Sequence, residues 1–161
     1  MISNSSPIIV LGKQGLLGIL KECFDKILIP KEVYNEIMID EGSVEALALK
    51  RAINEKWILI EEIEVNSVLD SESLGKGEKE AISLACKKKS TLLMDDNNAR
   101  KYAALLGVEC HGTLYVLYLA FLRKIIGKER ARKILESIIR EGFYVSTDVY
   151  ARFLEMLEMK G

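Results

Sequence analysis

The segment Thr91-Leu92-Leu93-Met94-Asp95-Asp96-Asn97-Asn98-Ala99-Arg100 decides the fold class, because an apolar run ends on two adjacent carboxylates and a helical pattern starts at once. Short apolar runs without alternation read as strands buried on both faces, the kind found in parallel sheets. In a sheet built from βα units, the residues just past a strand's C-terminal end form the rim where ligands and metals bind. Position alone therefore puts Asp95 and Asp96 on a rim, and the chemistry of the chain is expected to start there.

The same grammar repeats on either side. Met1-Ile2-Ser3 reads as a strand, with Ser6 as helix N-cap and Pro7 at the first helical position, which leaves Asn4 where strand turns into helix. Leu16, Leu17, Ile19 and Leu20 read as a helix leading to the strand Ile27-Leu28-Ile29, after which Pro30 opens a short helix carrying Glu36. Helical spacing over residues 44–56 precedes a third strand, Trp57-Ile58-Leu59-Ile60, and the acidic stretch 61–70 reads as a solvated connection. Gly75-Lys76-Gly77 punctuates the chain before a helix over 78–88 with a buried stripe of Ala81, Ile82, Ala85 and Cys86. Leu92-Leu93-Met94 is the fourth strand, 99–106 a helix closed by Gly107, and Val108-Glu109-Cys110 a fifth strand. An apolar, aromatic helix over 113–126 and two more over 128–140 and 147–159, the last capped by Thr147, complete the chain. Strands alternating with helices predict an α/β three-layer sandwich, α/β/α, around a mainly parallel sheet with a helical C-terminal tail.

With 161 residues, 49% of them hydrophobic, the chain is long enough for one full core. A single domain over 1–161 is expected, its core about 1–125 and a helical extension about 126–161. The 23 basic and 24 acidic residues nearly cancel, so no overall basic field recruits nucleic acid, and any such contact has to be local. Cys23, Cys86 and Cys110 have no metal or disulfide spacing and read as small buried side chains in a reducing compartment. There is no basic leader and no apolar run of about 18 residues, so a soluble, cytoplasmic protein with no membrane partner is expected.

Four polar residues converge on the rim in this scheme, and a fifth, Glu36, joins them on one condition. Asn4 follows the first strand and Asp95 and Asp96 follow the fourth, and right-handed crossovers make those strands parallel. Glu78 sits in the first turn of the helix leading into the fourth strand, and Glu36 reaches the rim if its helix is short and folds back over it. Each has an ordinary alternative: Glu36 as an exposed helix glutamate, Glu78 as an acid complementing a helix N-terminus, Asp96 as an N-cap. The Asp95-Asp96 pair needs more, because adjacent like charges on a crowded rim require a cation or a hydrogen-bond network. All the donors are oxygens, which suits Mg²⁺ or Mn²⁺ and argues against zinc. Gly75-Lys76-Gly77 lacks the spacing of a phosphate-binding loop and reads as a turn, and the lone His111 has no triad partner. Thr113 is either an N-cap or part of the rim. Lys87-Lys88-Lys89 and Arg100-Lys101 are solvated helix faces unless they flank the rim, where they would contact phosphate.

Taken together, Asn-Ser-Ser-Pro-Ile at 4–8, Leu-Gly-Lys-Gly-Glu-Lys-Glu-Ala-Ile at 74–82, Leu-Met-Asp-Asp-Asn-Asn-Ala-Arg at 93–100 and Gly-Thr-Leu at 112–114 occur in the order seen in one known family. Over about the first 125 residues the chain resembles the PIN-domain family, within it a short prokaryotic subgroup related to VapC-type toxins. That resemblance implies an α/β/α sandwich, a metal-dependent ribonuclease activity and an acidic cluster carried by Glu36, Glu78 and Asp96. Two positions depart from the usual pattern. Asn4 stands where the family has its first aspartate, and Asn98 where many relatives carry a further acid; an amide oxygen ligates Mg²⁺ without adding charge, so weaker metal binding is expected, with Asp95 compensating.

The leading expectation is hydrolysis of phosphodiester bonds in single-stranded RNA with one or two Mg²⁺ or Mn²⁺ ions. Glu78 and Asp96 are the principal ligands in this reading, Asp95 and Glu36 further ligands or water positioners, and Asn4 a neutral ligand. Ser6, Asn98 and Thr113 support them. The rival is a catalytically weak or inactive PIN-like module that binds RNA or a partner protein, which Asn4 and Asn98 favour; phosphotransfer through Asp95 or Asp96 is a more distant third. An antitoxin protein docking over the acidic rim and a homodimer through the apolar helix over 113–126 are the expected protein partners.

Overall fold

A computed structural model describes residues 1–160. Five short strands, β1 (Ile2–Ser3), β2 (Ile27–Pro30), β3 (Ile58–Glu61), β4 (Leu92–Leu93) and β5 (Cys110–His111), form one sheet in the order β3-β2-β1-β4-β5. All four pairings are parallel, with Ile2 opposite both Leu28 and Leu92, and Leu92 opposite Cys110. The helices are α1 (Ser5–Lys13), α2 (Gly18–Phe24), α3 (Lys31–Ile37), α4 (Val44–Asn54), α5 (Lys76–Lys88), α6 (Asn97–Leu105), α7 (Thr113–Leu122), α8 (Lys128–Arg140) and α9 (Thr147–Met159). The predicted α/β sandwich is therefore present, with a sheet that is wholly parallel.

Strand side chains alternate between two apolar layers, as the period of two requires. Ile27, Ile29 and Leu93 enter a cluster shared with α1, α2, α4 and α7, whereas Ile2, Leu92 and Met94 enter a second one built on α5 and α6. Helices α8 and α9 contribute Leu135, Ile138, Phe153 and Leu157 to the first cluster, so the C-terminal helices share the main core. None of the helices among the described residues is long and apolar enough to cross a membrane.

Several local boundaries differ from expectation. The helix begins at Ser5, not after Ser6, because the Asn4 amide still donates to the Leu93 carbonyl in the sheet and the next residue turns directly into helix. Residues 5–24 form two helices, since Gly15 at φ 67° ends α1 with Gly15 N–H bonded to the Gly12 carbonyl and Leu16 N–H to that of Leu11. The apolar helix ends at Leu122, not at residue 126, and buries Val116, Leu117 and Ala120 while leaving Tyr115 and Leu122 exposed. Ser146, not Thr147, caps α9, its Oγ accepting from the Val149 amide.

Strand order fixes where a site belongs. From β1 the chain moves outward through β2 to β3, then returns to the other side of β1 as β4 and continues to β5. The crevice beyond the C-terminal ends of β1 and β4 is the switch point of such a sheet, the place where open α/β folds bind ligands. Asn4 follows β1 there, and Asp95 and Asp96 follow β4.

Candidate active site

Asn4 is 5% exposed, and its Oδ1 is a buried acceptor with no hydrogen-bond partner among the described residues. A buried carbonyl oxygen without a partner has lost hydration and gained nothing, at a cost of roughly 1–3 kcal/mol. This oxygen lies at the switch point, where Asp95 and Asp96 leave the neighbouring strand β4.

Glu36 and Glu78 are positioned by a reciprocal arrangement of α3 and α5. The Gly77 amide, one of the free donors at the start of α5, reaches Glu36 Oε1 at 3.2 Å. In return Glu80 Oε2 accepts from the Glu32 amide in the first turn of α3 at 2.9 Å. Each helix thus has a free N-terminal donor satisfied by an acid on the other. Glycine at 77 leaves room for this fit: a Cβ there would stand 2.7 Å from Glu36 Cδ and Oε2, and the carboxylate would have to move. Glu36 lies near the C-terminal end of its seven-residue helix, which is short enough to bring it over the rim.

Glu78 closes the first turn of α5, its Oε2 accepting from the Gly75 amide at 2.8 Å. Burial pushes the Glu78 carboxyl above its usual range, the Gly75 hydrogen bond opposes this, and the negative charges of Asp96 and Glu36 push it further up. The charges of Asp96 and Glu36 thus both reach Glu78.

The two aspartates have different tasks. Asp96 caps α6 through Oδ1, which accepts from the Ala99 amide at 2.7 Å. Asp95 turns toward β1 and β5: its Oδ2 accepts from Ser6 Oγ at 2.9 Å and from Thr113 Oγ1 at 2.7 Å, and its Oδ1 from the Thr113 amide at 2.7 Å. That clasp ties together the chain segments leaving three adjacent strands. Thr113 is fully buried, and a Cβ on Gly112 would come within 2.7 Å of Asp95 Oδ1. Ser6 therefore serves the clasp and not a helix cap. Asn98 is exposed and donates through Nδ2 to the Ser73 carbonyl and hydroxyl at 3.4 Å, so its amide holds the loop that leads into Gly75.

The basic groups divide. Arg100, in the first turn of α6, donates to the Cys110 carbonyl at 3.3 Å and stays by the rim. Lys87 and Lys88 end the 13-residue α5 that starts at the rim, about 20 Å along the helix from it. Lys88 pairs with Glu61 at 2.9 Å. His111 stacks on Tyr115 with centroids 3.9 Å apart, its Nε2 3.0 Å from Glu109 Oε1.

The chain matches the family model DUF3368, described as a PIN domain, over residues 1–159. The chain belongs to the PIN-domain family. Membership extends past the 125 residues that carried the resemblance and takes in α8 and α9. Among solved structures it is similar to a PilT N-terminus domain protein, SSO1118, from the hyperthermophilic archaeon Sulfolobus solfataricus P2, at 17% identity and a TM-score of 0.46, covering 71% of this chain and 87% of that one. No curated protein matches the chain.

PIN domains have a nuclease-like fold and are generally dependent on divalent metal. In donor chemistry this PIN domain fits a hard divalent cation: carboxylates, one orphaned amide oxygen, and no sulfur or imidazole among them. Among the described residues no three Asp, Glu, His or Cys side chains are drawn together closely enough to hold an ion.

The sequence reading missed Glu80, the anchor of α3. Its only signal was an acid two residues beyond Glu78 in the first turns of the same helix, and its partner is 48 residues away. In the sequence Gly77 reads only as part of a turn and Gly112 only as part of the Gly-Thr-Leu motif, because close approach to a carboxylate is not visible in one chain.

Proposed function

We propose that this PIN domain is a metal-dependent ribonuclease that hydrolyses phosphodiester bonds of single-stranded RNA. The observation that carries the reading is the orphaned Asn4 Oδ1 at the switch point of the sheet, on the edge that also carries Glu78, whose carboxyl is pushed up by burial and by the charges of Asp96 and Glu36. Glu36, Glu78, Asp96 and the amide oxygen of Asn4 would hold Mg²⁺ or Mn²⁺. Asp95 fixes the rim through Ser6 and Thr113, and with a single hydrogen bond on Oδ1 it retains a lone pair for an ion. When bound, the metal supplies charge neutralisation on the scissile phosphate and activation of a water.

The chain's own groups do the rest. Glu78 Oε2 is engaged with Gly75, which leaves Oε1 free toward the ion. Arg100 stands at the rim as a cation for a non-bridging phosphate oxygen. The capping bonds of Asp96 and Glu78 hold both acids in place before substrate arrives, so little ordering remains at the moment of reaction.

A labelled mixed-sequence single-stranded RNA, incubated with Mn²⁺, Mg²⁺ or EDTA, tests the reading against Glu78→Gln and Asp96→Asn, both of which keep their capping hydrogen bonds. Metal-dependent cleavage by the wild type alone is expected. RNA binding without cleavage by any of the three proteins would favour the second reading, a binding module, which the neutral Asn4 and the structural use of Asn98 support. A toxin role with an antitoxin docked over the rim belongs to the nuclease reading. A homodimer through α7 has only Tyr115 and Leu122 as large exposed apolar side chains on that helix, a small patch for a stable interface.

A further inference from the structure

Beside the rim lies a cleft of about 280 Å³ between α1 and the turn joining α8 to α9, lined by Ser6, Lys13, Ile138, Glu141, Phe143 and Tyr144 among others. Ser6 belongs both to this cleft and to the clasp on Asp95, so cleft and candidate active site share a wall. The floor is apolar, with Ile138 buried and Phe143 packed on the core. Tyr144, at 85% exposure, stands over the cleft with its ring free.

Its position is built and not incidental. Gly142 at φ 99° closes α8 in a Schellman turn, with Gly142 N–H bonded to the Ile139 carbonyl and Phe143 N–H to that of Ile138, both at 3.0 Å. Phe143 and Val145 then point into the core, and the residue between them points out. Ser137 Oγ donates to Gln14 Oε1 at 2.8 Å, which fastens α8 to the end of α1 alongside the cleft. Lys13 is exposed in the last turn of α1 and forms no ion pair among the described residues.

We propose that this cleft is a subsite for one nucleotide next to the scissile phosphate, in which a single-stranded RNA base stacks on Tyr144 and the neighbouring phosphate meets Lys13. The proposal rests on the ribonuclease reading above and adds to it the track by which the strand leaves the rim. The volume suits one planar base, being smaller than the pockets of drug-sized ligands, which start at roughly 300 Å³. An exposed ring and a free ammonium group along one groove are the two elements of sequence-tolerant single-strand binding. Duplex RNA does not offer an unstacked base to such a ring, which makes the subsite a filter for single strands.

The test uses a fluorescently labelled single-stranded RNA octamer carrying 4-thiouridine, with Ca²⁺ in place of Mn²⁺, and compares wild type, Tyr144→Ser and Tyr144→Phe. Tyr144 is exposed, so neither substitution removes a buried contact. Tyr144→Ser is expected to raise Kd at least about fivefold, the lower end for one lost base–aromatic stack, and Tyr144→Phe to restore it. Photo-crosslinking is expected to join the RNA to the peptide containing Tyr144. In cleavage, Tyr144→Ser is expected to raise KM relative to the wild type while kcat stays, since the ring touches a base and none of the reacting atoms. Unchanged Kd in Tyr144→Ser, or crosslinks confined to other peptides, would overturn the subsite and leave the nuclease reading standing. No RNA binding by the wild type would overturn both.

Discussion

Gly77→Ala is the substitution whose outcome follows most directly from the packing of α3 against α5. In a helix, alanine for glycine is favourable by up to about 1 kcal/mol. Here the new Cβ would sit 2.7 Å from Glu36 Cδ and Oε2, closer than real Cβ contacts come, so the carboxylate must swing away and its bond to the Gly77 amide is lost. A hydrogen bond to a charged acceptor contributes roughly 1.5–3 kcal/mol. The net effect is a destabilisation of roughly 0.5–2 kcal/mol, or about 1–8 °C in melting temperature for a chain of this size.

The same change made in a Glu36→Ala background meets no carboxylate. Only the helix propensity remains, so Gly77→Ala should there raise the melting temperature by about 2–4 °C. Thermal melts of the four proteins form a double-mutant cycle in which one substitution changes sign with its partner. An equal effect of Gly77→Ala in both backgrounds would refute the account of how Glu36 is held. The cycle reads position and not activity, so it holds whatever the rim is for.

Glu78→Gln should make the protein without metal more stable at neutral pH, because the raised carboxyl is favoured in its protonated form and glutamine imitates that form. Wild-type stability attributable to Glu78 is full below the unfolded carboxyl value and declines as pH rises through the raised folded one, so melts from pH 4 to 7 should show the gap to Glu78→Gln opening with pH; a gap that closes would contradict it. Glu80→Ala should remove the acceptor at the start of α3 and lower stability by about 1–2 kcal/mol, with Glu80→Gln close to wild type in urea titrations.

Much of this site was legible because βα sequence grammar places residues on an edge without reference to contacts. Asn4, Asp95 and Asp96 were on the rim as soon as β1 and β4 were parallel neighbours. What each side chain does there was not legible. Asp95 and Asp96 looked like a pair, yet consecutive residues leaving a strand point to opposite sides, and one joined the Ser6–Thr113 clasp while the other capped α6. Ser6 followed by Pro7 has the composition of a helix start, but the Asn4 amide was already committed to Leu93, and the hydroxyl found a partner 89 residues away. Gly15 at φ 67° divides residues 5–24 into two helices, a break that the apolar spacing of Leu16, Leu17, Ile19 and Leu20 does not announce. Local chemistry therefore predicts where elements lie, and long-range partners decide which polar group of several does the work.

The neutral residue at the end of β1 is where stability and metal binding should pull apart. A buried Asn4 Oδ1 with no partner is a cost that an apolar side chain of similar shape does not carry. Asn4→Leu should therefore raise the melting temperature without metal by about 2–4 °C, the equivalent of roughly 1 kcal/mol, and weaken the further rise on adding Mn²⁺. Asn4→Asp should do the reverse, adding a fourth carboxylate to Glu36, Glu78 and Asp96 so that apo stability at neutral pH falls while the Mn²⁺ response steepens. Melts of the three proteins over a Mn²⁺ series separate a ligand from a residue that only fills space. If Asn4→Leu lowers apo stability and keeps the full Mn²⁺ response, the amide oxygen is no ligand, and the acidic rim must bind its cation, if any, through the carboxylates alone.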